Sequence, residues 1–234
     1  MMKLFVGIIC AMLITVSCSE APKDPIAILN ASMMKAMEIN SASYRMQSLI
    51  ITGADTQIVN RQIYIKRNDN DTVVGMKLKI VDEDSSAVYY DGNNFVLIDD
   101  YSRKVIVPDS AMPAGFIAAG LLDIQSMIIK RRDGKLADKN QNNIKYFGAV
   151  ELNGRQLEIV SFSKTDNTSK QKSEVKYYFS ADDKLLRRIE MTGVKGSSKY
   201  YQLIQVNELN INAPMPDSVF SPSIPNEYTK QLWK

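Results

Sequence analysis

Between residues 43 and 210 apolar and polar positions alternate in short runs separated by turn-forming clusters, the period-two pattern of half-buried strands. Gln62, Tyr64 and Lys66, for instance, alternate with Ile63 and Ile65. Runs at 43–52, 56–66 and 72–81 are divided by Gly53-Ala54-Asp55 and by Asn68-Asp69-Asn70-Asp71. Shorter runs follow at 87–90, 94–98 and 104–107, the first two joined by Asp91-Gly92-Asn93. The pattern resumes at 144–152, 156–162, 174–179, 185–192 and 198–210, with tight turns at Asn153-Gly154 and Asp182-Asp183. This predicts about eleven strands joined almost throughout by hairpins, and so an antiparallel sheet large enough that it must curl.

Two segments break the alternation. Asp24 and Pro25 make an N-cap and first residue for a helix running to about Ile39, in which Ile26, Leu29, Met33 and Met37 recur at helical spacing. Its methionines offer an adaptable apolar surface. The second segment, residues 111–130, is the longest apolar block beyond the leader. Asp109 or Ser110 can cap it, Pro113 suits its first turn, Lys130, Arg131 and Arg132 complement the negative end of the dipole, and Gly134 can stop it. Ile117, Leu121, Ile124 and Ile128 share one face, and Phe116, Leu122 and Ile129 widen it until few polar positions remain. Such a helix needs cover. It is either a buried core helix or, given Gly115 and Gly120, a movable lid on the sheet. Asp123 interrupts it, and it falls short of the ~20 apolar residues of a bilayer span. After Ala213 four prolines, at 214, 216, 222 and 225, predict an extended strap with Phe220 and Tyr228 as pegs.

The first residues carry a different signal. Lys3, an apolar core from Leu4 to Val16 and small residues before Cys18 read as a secretory leader over 1–17. Thr15-Val16-Ser17-Cys18 resembles a bacterial lipobox, so Cys18 is expected to carry the lipid, 18–23 to form the tether, and 24–234 to make one domain. Cys10 leaves with the leader and Cys18 is acylated, so neither disulfide nor thiolate chemistry is expected. Lys and Arg number 29 against 26 Asp and Glu, a balance too even to steer nucleic acid, and nucleic-acid binding is not expected. The sequence has no His, which removes the commonest general base and the commonest metal ligand together.

Other chemistry finds little support. Asn68–Asp71 and the Asp82-Glu83-Asp84 run invite a calcium reading, but the first lacks the glycine and distal glutamate of an EF-hand loop, and both sit where turns belong. No nucleophile elbow, phosphate loop or dinucleotide fingerprint occurs. A hydrolase built on paired carboxylates has no marked pair to rest on. The expectation is therefore a protein without metal, cofactor or catalysis. The basic run 130–132 has two accounts, the helix dipole or anionic headgroups at the anchoring membrane.

The order of parts and several local motifs resemble the outer-membrane lipoprotein carrier and receptor superfamily (LolA/LolB-like). Ile63-Tyr64-Ile65-Lys66-Arg67 is similar to a strand of that family, Tyr90-Asp91-Gly92-Asn93-Asn94-Phe95-Val96 to its Asp-Gly hairpin, and Tyr201-Gln202-Leu203 with Phe220-Ser221-Pro222 to its last strand and tail. At position 68 the family's proline is Asn. The resemblance implies an α+β half-barrel, a curved antiparallel sheet enclosing or covered by the N-terminal and mid-chain helices. It further implies a cavity for acyl chains of lipids or lipoproteins, with Arg67 tethering the lid. Independently of it, a sheet curled round a helix with two glycines and a Met-rich neighbour can open such a groove, with Met33, Met37, Phe116, Ile117, Leu121, Leu122, Ile124 and Ile128 as the candidate lining. A chain anchored through Cys18 would act as a receptor on the periplasmic side of the envelope, most simply at the outer membrane. The alternative is a sensor or scaffold of the same fold that contacts an envelope protein.

Overall fold

The computed structural model describes residues 23–71, 75–83, 86–108, 143–165, 172–195 and 198–233. Helix α1 spans Pro25–Met37. Asp24 caps it as expected, its Oδ1 accepting from the Ile26 amide at 2.9 Å. Its buried face is Ile28, Leu29, Ser32, Met33 and Ala36, so the stripe is turned from the expected one. Ile26 packs half-buried against the core, and Met37, the terminal residue, remains 43% exposed.

Twelve strands follow: β1 Ser41–Thr52, β2 Asp55–Arg67, β3 Met76–Asp82, β4 Ser86–Tyr90, β5 Phe95–Asp99, β6 Lys104–Pro108, β7 Ile144–Leu152, β8 Arg155–Thr165, β9 Lys172–Ser180, β10 Leu186–Lys195, β11 Ser198–Ile211 and β12 Thr229–Trp233. They form a single sheet in the order β12-β6-β5-β4-β3-β2-β1-β11-β10-β9-β8-β7. Consecutive hairpins build two wings, β2 to β6 and β7 to β10, and the pairing of β1 with β11 joins them. The sheet is open, with β7 at one edge and β12 at the other.

The expectation of about eleven antiparallel strands needs correction at the tail. The proline-rich strap does not end as a strap: its last residues pair with β6 as a parallel twelfth strand, from Thr229 beside Lys104 to Trp233 beside Pro108. No hairpin announces that pairing, because the strand arrives from across the outer face. On the way a 3-10 helix, Asp217–Phe220, packs on β3, where Lys66 and Lys77 each reach Asp217 at 2.7 Å. Those two bonds hold the Asp217 carboxyl down at about 2. Phe220 is wholly buried, Tyr228 donates to Asp100 at 2.9 Å, and both serve as the expected pegs. The mid-chain helix expected over 111–130 lies outside the described residues.

Register decides which side chains meet. Ala42, Tyr44, Met46 and Ser48 of β1 face inward, and their cross-strand partners carry that face outward through both wings. On one side Tyr44 opposes Ile63, Ile63 opposes Ile80, Ile80 opposes Val88, and Val88 opposes Leu97. On the other side Ser48 opposes Ile204, then come Ile189, Tyr177, Val160 and Tyr146. The main core is this inner face together with Ile28, Leu29 and Ile39.

Candidate functional site

Helix α1 closes only part of the inner face. Twelve strands about 4.8 Å apart extend over roughly 50 Å, whereas a helix of this length reaches about 20 Å. Its position is set at both ends. Lys23 Nζ, just ahead of the cap, donates to Glu158 Oε1 of β8 at 2.9 Å, and Lys184 approaches the other carboxylate oxygen at 3.4 Å. Burial of Glu158 works against its ionisation, yet the Lys23 hydrogen bond and the Lys184 charge outweigh burial and hold its carboxyl below the ordinary range. At the far end Arg67 donates to the carbonyl oxygens of Met37 at 2.5 Å and Ile39 at 3.3 Å. These are carbonyls that a helix terminus leaves without intrahelical partners.

Beyond the helix a strip of the inner face is apolar but only half-buried. One wing contributes Ile80, Val88 and Leu97; the other contributes Met191, Val175, Phe162 and Tyr177. Met191 opposes Val175 and Val175 opposes Phe162, so these three form a continuous row across β10, β9 and β8. Phe162 meets Tyr177 edge-on, with ring centroids 5.3 Å apart, and Tyr177 stacks on Phe179 at 6.3 Å. Burial pushes the Tyr177 phenol above its usual value. Polar groups interrupt the strip at two places. Arg61 and Asp82 pair at 2.6 Å, with Ser86 donating to the same carboxylate at 3.2 Å. Gln202 Nε2 donates to Ser48 Oγ at 3.3 Å, and Gln202 Oε1 accepts from the Tyr200 hydroxyl.

The expected site residues are distributed unevenly. Met33 is buried on α1, and Met37 is exposed at the helix end. Arg67 is bonded to α1, and its relation to the mid-chain segment lies outside the described residues. Phe116, Ile117, Leu121, Leu122, Ile124 and Ile128, like Cys18, also lie outside them. Sequence reasoning missed the strand residues Ile80, Val88, Leu97, Phe162, Val175, Tyr177 and Met191. Their period-two alternation was the available signal, but alternation does not say which positions a helix leaves uncovered.

Among the described residues no group of three His, Cys, Asp or Glu is placed to hold a metal ion, and no helix is long and apolar enough to cross a membrane. The outer face carries two hollows. One, about 670 Å³, is lined by Arg45, Gln47, Asn60, Gln62, Tyr64 and Glu83 among others and is polar. The other, about 260 Å³, lies where β8 and β10 begin and β11 ends.

No protein-family model matches the chain, and no curated protein matches it. Similar solved structures include a Pseudomonas aeruginosa MucA/MucB complex, at 12% identity and a TM-score of 0.47, covering 86% of this chain and 62% of the matched one. The present chain therefore spans less than two thirds of that protein's length. The lipoprotein LppX of Mycobacterium tuberculosis is similar at 12% identity and a TM-score of 0.46, covering 82% of this chain and 97% of LppX. A LolA superfamily protein of Nitrosomonas europaea is similar at 8% identity and a TM-score of 0.37, covering 86% and 98% of the two chains. LolA superfamily proteins are thus among the structures similar to this chain.

Proposed function

We propose that this chain is a lipid-anchored envelope protein that holds acyl chains of a lipid or lipoprotein against the inner face of its sheet, without catalysing a reaction. The half-buried apolar strip carries the reading. Ile80, Val88 and Leu97 on one wing and Met191, Val175 and Phe162 on the other present unbranched hydrocarbon with a surface on which each buried CH₂ contributes about 0.8 kcal/mol. Binding of this kind needs no nucleophile, metal or general base, which agrees with a sequence that has no His. Attachment through Cys18 would keep the protein at one membrane, most simply the outer one with the sheet facing the periplasm, as a receptor rather than a shuttle.

The Cys18→Ala protein, free of its own lipid, tests this with a fluorescent fatty acid. The parent is expected to take up the probe at micromolar concentration. Val175→Asp places an unpaired carboxylate in the row and is expected to weaken uptake by at least tenfold, because desolvating it costs several kcal/mol. Circular dichroism reports whether the sheet persists. Equal uptake by both proteins would remove the inner face from the reading.

A second reading has one observation in its favour. Edge strand β7 shows Phe147, 58% exposed, and Val150 to solvent, and an open edge of this kind accepts a strand from a protein partner. A stable complex with an envelope protein, formed without lipid, would favour that sensor or scaffold role.

A further inference from the structure

The smaller outer hollow is lined by three arginines. Arg155 opens β8 after the Asn153-Gly154 turn, and Arg187 and Arg188 lie at the irregularity where β10 leaves register with β9. Arg187 is a buried cation, its side chain 9% exposed. Its Nη2 is bonded to Asp183, but its Nε and Nη1 are buried and have no hydrogen-bond partner among the described residues. Arg188 repeats the pattern: Nη2 donates to Glu190, the guanidinium lies 5.4 Å from the Tyr178 ring centroid, and Nε is buried without a partner. The remaining wall mixes Leu152, Leu157, Val206 and Leu209 with Asn153, Gln205, Asn207 and Glu208.

Folded chains rarely leave a buried guanidinium nitrogen unmatched, since the desolvation of its charge is then uncompensated. Here the two residues that carry three such nitrogens, Arg187 and Arg188, both line one hollow of about 260 Å³. Repulsion from Arg155 adds to burial in weakening the protonated form of Arg187, against the attraction of Asp183. Asp183 and Glu190 are already engaged through the Nη2 atoms, and Glu208, at the rim, pairs with Arg45 at 3.2 Å. The unmet donors belong to different guanidinium groups. A planar carboxylate matches one fork, whereas a tetrahedral oxyanion presents acceptors in several directions.

We propose that this hollow binds a phosphate group through Arg155, Arg187 and Arg188. The group belongs to free phosphate or to a lipid headgroup whose first carbons would rest on Leu152 and Leu157. The site faces away from the inner strip, so it stands or falls separately from acyl-chain binding.

Calorimetric titration and thermal melting of the Cys18→Ala protein test it, with inorganic phosphate and with dihexanoyl phosphatidylglycerol below its micellar concentration, at matched ionic strength. At least one ligand is expected to bind and to raise the melting temperature above that in chloride. Arg155→Gln, at the hollow's hairpin end, is expected to weaken binding roughly tenfold or more, and Arg187→Met to abolish it. Binding of both ligands assigns the site to phosphate itself, and binding of the lipid alone assigns it to a headgroup. If Arg187→Met fails to fold, Arg155→Gln decides. Failure of both ligands to bind, or binding that Arg155→Gln leaves unchanged, would overturn the proposal.

Discussion

Arg67, the last residue of β2, reaches with Nη2 to within 2.5 Å of the Met37 carbonyl oxygen, so a strand end closes the final turn of α1. The same side chain also serves Ile39, and the Arg67 amide donates to the Asn40 carbonyl at 2.7 Å. The turn from helix to sheet is therefore held by the guanidinium and by the backbone of one residue. Arg67→Leu keeps the backbone bond and removes the others. The expected loss is about 1–3 kcal/mol, with faster amide exchange confined to residues 36–39. Unchanged exchange there would show that the helix end does not depend on Arg67.

The opposite end of α1 makes stability depend on pH. Glu158 has a folded pKa below its ordinary 4.5, since Lys23 and Lys184 outweigh its burial. A carboxyl with a lowered folded pKa contributes fully above its unfolded value and loses the contribution as pH falls through the folded one. The melting temperature of the wild type should therefore drop more steeply than that of Glu158→Gln below about pH 4.5. Parallel curves from pH 7 to pH 3 would contradict the assignment.

At the β4–β5 hairpin Gly92 has φ +102°, where a side chain is strained, and a Cβ would strike the Asn68 amide. Asp91 holds the turn by accepting from the Asn93 and Asn94 amides at 2.8 and 2.7 Å. Gly92→Ala should cost roughly 1–2 kcal/mol, measured by urea unfolding with unchanged slope.

Attachment rests on Cys18 alone in this account. The Cys18→Ala protein should remain in the supernatant after a high-salt wash of membranes. Sedimentation with the membranes would show a second attachment.

Much of this architecture is legible in the residues because local rules and the fold agree. Asp24 and Pro25 start α1, and Asn153-Gly154 makes a hairpin turn with both residues at positive φ. The alternation around Ile63 and Ile65 marks an inner face that the register confirms. Less was legible where distant parts meet. Met37 shares a helical spacing with Met33 but falls at the last turn and stays exposed. Parallel β12 has no hairpin to signal it, and the partner of Arg67 was fixed only by where α1 ends. The half-buried strip could not be read at all, because Val175 and Ile189 both alternate correctly and yet only Ile189 is buried.

Native mass spectrometry of the Cys18→Ala protein, purified from a bacterial periplasm without detergent, tests acyl-chain binding most directly. The account predicts a population heavier than the bare chain by the mass of one lipid or fatty acid, released on activation and absent from Val175→Asp. A single species at the mass of the bare chain, still bare after incubation with fatty acid, would contradict it.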